Sequence, residues 1–396
     1  MAGESESQSG LRRVLTLWPL VFYGLGVIVG AGIYVAIGEV IARAGDAAPL
    51  SFLLAGIAAA ATGLCYAELA SRMPEAGGAA TYVAAGFGSP LAGRLVGAAI
   101  TAATAVSAAS IAHGAVHYLA VLVPVPEPAL IALVIVGFTA VAAIGVRESV
   151  GIAATIGALE IAGLDVATAA GLLAAPEFHF AGMVPHDGAA WRGTAAGAFI
   201  AFFAFIGFET LANMAEEVKE PRRTVPRGIV GAVAASMVLY VAVAAAAVLG
   251  DAAAGMPLLG LFGGGGATVF AMVGFLAVAN GVLVEIVMLA RLFYGMARKG
   301  QLPAWLGRVN ARTRTPVEAT LLVGAIALAA ALLVPFERLL VLADALTLGV
   351  FAAVDLALWR LQRGAAAAGS FRVPHWLPPA AALLALALIA AEFLNA

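Results

Sequence analysis

The sequence predicts an all-α membrane protein: an inverted five-plus-five helix repeat with broken first and sixth spans, and about eleven transmembrane helices in total. Three observations carry that expectation. Apolar residues make up 63% of the 396 residues and charged residues only 11%, with a mean hydropathy of +1.03, which leaves too little polar surface for a soluble globule. Apolar runs of about 18 to 30 residues, the length that crosses some 30 Å of hydrocarbon with tilt, recur along the chain. Two of these runs, five apart, carry a defect at mid-depth, a cluster of three glycines in the first and a glycine followed at once by an ionisable glutamate in the sixth.

In chain order, residues 1–16 form an acidic, polar tail closed by Arg12 and Arg13. The apolar segment after it is too long for a signal-peptide core and lacks a cleavage site. It is the first span, Leu17 to Ile41. Spans two to five follow at Leu50 to Ser71, Leu95 to Leu119, Ala129 to Val146 and Val150 to Ala174, which completes a first repeat over 17–174. The second repeat, 193–361, comprises Gly193 to Met214, Pro226 to Leu249, Ala267 to Met296, Pro316 to Val334 and Leu339 to Leu361. Together they make a transport core over 17–361. Residues 362–396 supply an inner linker and an additional span, Trp376 to Leu394. No connection is long enough for a soluble domain, and the GGGG tract at Gly263 to Gly266 reads as a flexible turn, since no strand precedes it and no GK[ST] follows.

Basic residues set the orientation. With the N-terminus in the cytoplasm, the inner side receives eighteen lysines and arginines, and the outer side only Arg43, Arg192 and Arg338. Eleven spans then place the C-terminus outside.

The first span contains LGVIVGAGIYV from Leu25 to Val35, with Gly26, Gly30 and Gly32. These glycines either allow close helix packing or break the helix. A break leaves N–H and C=O groups that hydrocarbon cannot satisfy. The second half-helix then presents N–H groups and a positive dipole end to an anion, and the first half presents carbonyls to a cation, so a zwitterion fits both. The sixth span, GTAAGAFIAFFAFIGFETLANM, has the same defect at Gly207, followed at once by the ionisable Glu209. Two defects five spans apart are what an inverted repeat produces, with a site between the two broken helices. That geometry belongs to alternating-access transporters.

The residues also carry a family resemblance. GVIVGAGIYV in the first span, YAEL at Tyr66 to Leu69, PEAGGAATYV at Pro74 to Val83 and GVRES at Gly145 to Ser149 resemble the amino acid permeases of the amino acid, polyamine and organocation superfamily. So do FFAFIGFETLANMAEEVKEPRRTVP from Phe202 to Pro226 and RLFYGMARKGQLP from Arg291 to Pro303. The resemblance runs in order from about Leu17 to Leu361. It implies secondary transport of amino acids or related amines. It also implies that the backbone at Val29, Gly30, Ala31 and Gly32 holds the substrate carboxylate, that the carbonyls around Phe203, Ala204 and Ile206 hold its amine, and that Phe203 gates the site. Family members typically have twelve spans or more, and this chain departs from that with eleven.

Carboxylates inside the spans each need a partner or a proton. Glu209 is either a proton carrier that titrates as the site opens to water, or a cap for freed N–H groups at the break. Glu160, in TIGALEIAGLD of the fifth span, stands where many proton-coupled members place a lysine, and Glu285 lies in the eighth span. That span has no serine and one threonine, Thr268, so a sodium site is poorly supported. Glu160 and Glu285 either handle a proton, hold a cationic substrate group, or are hydrogen-bonded structurally. Glu68, beside Tyr66 and Arg72, reads as an inner-gate or interfacial ion pair. His113 and His117 share a helix face without a third ligand, which speaks against a metal, and the lone Cys65 excludes an internal disulfide and any multi-cysteine metal or redox site.

No Walker motif or cytosolic domain is present to drive a pump, and no nucleophile–base pair marks an enzyme. A channel and a non-transporting receptor remain as rivals to the transporter. The expected partners are a small amino acid or amine, the lipid bilayer and protons, with no cofactor, no metal and no nucleic acid. The resemblance implies the inner membrane of a bacterial cell.

Overall fold

The computed structural model describes residues 15–73, 78–145, 150–175, 180–215, 217–250, 256–298, 300, 302–364 and 370–394. Among the features named above, the tail with Arg12 and Arg13, Pro74 to Gly77 of PEAGGAATYV, Val146 to Ser149 of GVRES, and the loop residues Glu216, Lys299 and Gln301 lie outside them.

Among the described residues each expected span coincides with helix, the sixth interrupted between Ala201 and Thr210. Within the expected first repeat lie α1 (Leu17–Ala44), α2 (Ala48–Arg72), α3 (Gly78–Phe87), α4 (Pro90–Leu122), α5 (Glu127–Ile144) and α6 (Val150–Ala174). The second contains α7 (Gly188–Ala201), the one-turn α8 (Thr210–Asn213), α9 (Pro221–Leu249), the short α10 (Pro257–Gly260), α11 (Gly265–Arg298), α12 (Val317–Leu333) and α13 (Phe336–Leu361). Helix α14 (Leu377–Phe393) follows. Among the described residues, eight helical stretches are long and apolar enough to cross a membrane, and one of them, Leu17–Arg72, turns at Gly45–Ala47 and so comprises two such helices. The 17-residue apolar helices α12 and α14 bring the count to eleven.

Local chemistry explains where helices begin. Before α4, Gly88 adopts φ +61°, Ser89 accepts the N–H of Ala92 through its hydroxyl (3.3 Å), and Pro90 takes the first helical position. This separates α3 from a 33-residue α4 that extends well beyond the expected Leu95 to Leu119. Asp187 caps α7 by accepting the N–H of Ala190 at 2.7 Å. In the GGGG tract, only Gly263 and Gly264 are turn, because Gly265 already opens α11.

Packing repeats the internal symmetry. Helix α2 packs on α9, α4 on α11 and α5 on α12, each pairing equivalent spans of the two repeats. Likewise α1 packs on α9 as α7 packs on α2, and α6 packs on α9 as α13 packs on α2. Helix α14 lies against α13, α2 and α7. The two broken helices pack on each other, with α1 also against α9, α11 and α6, and α7 also against α2 and α14.

Candidate functional site

Helix α1 departs from helical geometry at one residue, Gly30 (φ −11°, ψ −132°), while Gly26 and Gly32 remain helical. A Cβ placed at Gly30 would meet nothing within 4 Å, so open space adjoins the break. At Gly32 it would lie 2.6 Å from Cα of Ala204. Each reading of the glycine cluster therefore holds for a different residue: Gly30 breaks the helix, and Gly32 permits close approach. Val29 and Ala31, on either side, are buried, with Ala31 packed against α11 at Gly281.

The second break is longer. After α7, Phe202–Phe205 form a 3-10 turn, Ile206 is extended, and Gly207 adopts φ +123°, a conformation that favours glycine. Glu209 accepts the N–H of Gly207 (2.9 Å), and Thr210 donates its hydroxyl proton to the Gly207 carbonyl (2.6 Å), so the residue in the gap has partners on both sides. The carboxylate thus caps the break itself. Phe203 is buried at 4% exposure, and its carbonyl accepts the N–H of Ile206 at 3.3 Å.

The two breaks cross. Val27 lies against Gly207, and Gly32 lies against Ala204. Tyr240, fully buried on α9, joins them: its hydroxyl is 2.7 Å from the carbonyl oxygen of Ile28 and 2.8 Å from that of Ala204. One O–H donates to one acceptor at a time, so its single proton serves both carbonyls in turn. Tyr240 went unnoticed in the sequence. The available signal was a lone phenol in the alanine- and valine-rich seventh span, since a buried tyrosine hydroxyl needs a partner.

The three acids fall into two neighbourhoods. Glu160 is 2% exposed, and its Oε1 has no hydrogen-bond partner among the described residues. Its carboxylate lies within electrostatic range of the hydroxyls of Tyr34 and Tyr240, and Tyr34 donates to its backbone carbonyl at 2.8 Å. Glu285 is half-buried, accepts a hydrogen bond from Ser107 (3.1 Å) and lies within electrostatic range of Glu209.

A cavity of about 390 Å³ lies at the end of the bundle away from the basic loops, lined among others by Glu39, His113, His117, Glu127 and Glu337. Its floor is aromatic: the Tyr34 ring stands edge-on to Tyr118 (6.1 Å between centroids) and stacks near Phe270 (6.2 Å). His113 sits 2.9 Å from the carbonyl oxygen of Ala331 and 3.3 Å from Oε1 of Glu127. Among the described residues no group of three or more histidines, cysteines or acids could hold a metal, and Cys65 is a free, buried thiol.

Two crossed backbone breaks inside a two-fold array of membrane helices define a fold of the transporter class. The chain belongs to the amino acid permease family, whose model matches residues 15–396. It is 31% identical to cationic amino acid transporter 4, vacuolar, of Arabidopsis thaliana, over 87% of this chain and 62% of that protein. It is 29% identical to the methylthioribose transporter of Bacillus subtilis, over 94% of this chain and 86% of the other. An uncharacterized transporter of Mycobacterium tuberculosis is 32% identical over 81% of this chain and 74% of its own length. The chain spans 62–64% of the length of the first two plant relatives it matches.

Proposed function

We propose that this protein is a secondary active transporter that moves amino acids across a membrane by alternating access, coupled to protons or working as an exchanger. The crossing of the two breaks, with Gly32 against Ala204 and open space at Gly30, carries this reading. In it, the backbone from Val29 through Gly30 and Ala31 to Gly32 holds the substrate carboxylate at the start of the second half of α1, where N–H groups lack helical partners. Carbonyls of Phe203, Ala204 and Ile206 hold the ammonium group. A carbonyl has two lone pairs, so the bonds already made to Phe203 and Ala204 leave room for a ligand. Phe203 closes over the substrate. The transport core is 17–361, in a cell inner membrane with the N-terminus cytoplasmic, as the eighteen-to-three distribution of basic residues supports.

A second reading rests on Glu160, whose Oε1 has no partner among the described residues. A buried carboxylate calls for a cation. Either a coupled proton or the side chain of a cationic amino acid supplies it, and the plant relatives named as cationic amino acid transporters favour the latter.

A thermal-shift screen of the purified protein against neutral and cationic amino acids, polyamines and methylthioribose tests both readings, because a ligand of the folded state raises its apparent stability. Stabilisation by neutral zwitterions is the expected result under the first. Stabilisation confined to lysine, arginine or polyamines, lost in Glu160→Gln, establishes the second. No shift with any amino acid or polyamine removes both.

A further inference from the structure

We propose that Glu68 is a positioning residue that closes the basic face of the bundle. With Ser71 it holds residues 370–373, between α13 and α14, as a strap across the ends of α2, α9 and α13. This inference rests on the alternating-access reading above, since a strap matters only if that face opens.

Glu68 is fully buried, 0% exposed, one turn before the end of α2. Its carboxylate collects donors from three separate stretches of chain. Arg72 donates through Nε at 2.7 Å, Gln362, just past α13, through Nε2 at 2.9 Å, and Val373 through its backbone N–H at 2.7 Å. Ser71, on the same helix end, accepts the N–H of Phe371 (2.8 Å) and donates to the carbonyl of Arg222 at the start of α9 (3.0 Å). Gln362 also donates to the carbonyl of Val373 at 3.2 Å, and Arg72 to that of Leu361 at 3.3 Å.

The pattern is regular. Alternate residues Phe371 and Val373 offer N–H groups from one edge of the chain, as alternate residues of an extended segment do. Glu68 and Ser71, three apart, share one face of α2 and receive them. The partners belong to both repeats, α2 to the first and α9 and α13 to the second, so separating the repeats at this face must break the set. A buried carboxylate with a guanidinium and two further donors is stable only while all remain in place. At the opposite end the 390 Å³ cavity lies between the same two repeats, so the structure is fastened at one end and hollow at the other.

The native Cys65, buried one turn before Glu68, is a built-in probe of opening. The test measures its labelling rate by a thiol reagent in the purified full-length protein, with amino acid uptake in proteoliposomes alongside. Val373→Pro removes one N–H donor without touching α2, and Gln362→Ala removes a second. Each is expected to speed labelling about tenfold, the factor for one charge-assisted hydrogen bond lost from the closed form alone. The same bond is lost from the folded state, so the thermal unfolding midpoint falls by a few degrees, and a substitution away from this face that lowers the midpoint equally is expected to label at the parent rate. Labelling that is unchanged in both variants, or that rises equally in the control of matched midpoint, overturns the strap. If the parent takes up no amino acid while the variants still label faster, the transport reading fails and the strap stands. Normal parental uptake with unchanged labelling overturns the strap and leaves the transport reading intact.

Discussion

The first break is a single residue, Gly30, in a helix otherwise continuous from Leu17 to Ala44, whereas the second spreads from Phe202 to Glu209 through a 3-10 turn, an extended Ile206 and a left-handed Gly207. The richer glycine cluster makes the smaller break. Three glycines stand near the first break and only one leaves the helix, because Gly32 is needed for contact with Ala204. At the second break, Gly207 alone cannot satisfy the opened backbone. Glu209 and Thr210 bind its N–H and carbonyl, and Tyr240 covers a carbonyl from each break. What sustains a break at mid-depth is therefore the supply of polar partners more than the number of glycines.

Substitutions at the two breaks can test this contrast. Gly207→Val should have the largest effect, because a β-branched residue at φ +123° is a steric outlier and its Cβ would come within 3.0 Å of Val27. A cost of about 1–3 kcal/mol from the backbone alone is expected, with further loss from displaced Val27, read as a lower unfolding midpoint in detergent. A parental midpoint would show that the left-handed geometry at Gly207 is dispensable. Gly32→Ala comes next: its Cβ would press on the Ala204 backbone, costing about 1–3 kcal/mol by overpacking and prising the breaks apart. The same clash means that Gly32→Leu is not a clean test of ligand binding.

Tyr240→Phe should follow, at about 1–2 kcal/mol, since it leaves two buried carbonyls without their shared donor. Hydrogen exchange at the two breaks should rise together if the phenol serves both, and a rise at only one would confine it to that helix. Gly30→Ala should perturb the fold least, within about 0.5 kcal/mol, because its Cβ enters open space. Titration calorimetry should nonetheless show weakened binding of any amino acid the protein takes. Parental affinity there would remove Gly30 from the carboxylate cradle.

Hydropathy made the eleven spans legible, because hydrocarbon imposes one length on every helix that crosses it. The sixth-span break was equally legible from Gly207 beside Glu209, two residues that fit poorly in a continuous apolar helix. What escaped were contacts between helices distant in sequence. Nothing periodic in α9 marks Tyr240, nothing in the linker announces that Phe371 and Val373 reach α2, and the division of the three acids between Tyr34 and Tyr240 on one side and Ser107 on the other depends on helix rotation. The start of α4 was blurred for a different reason: Gly88, Ser89 and Pro90 interrupt a stretch whose hydropathy barely changes.

Gly30 also divides α1 mechanically. The part on the basic side, Leu17 to Val29, is a lever arm of about thirteen residues, roughly 20 Å long at 1.5 Å per residue. A swing of about 10° at its pivot moves the tip some 3 Å, comparable to the length of a hydrogen bond. Just beyond that tip, Leu15 donates to the carbonyl of Glu217 (3.1 Å) and accepts from the N–H of Lys219 (2.8 Å), on the chain that joins the second break to α9. A swing of that size exceeds what those two bonds can stretch, so the arm cannot turn at Gly30 without either breaking them or carrying the chain before α9 along with it.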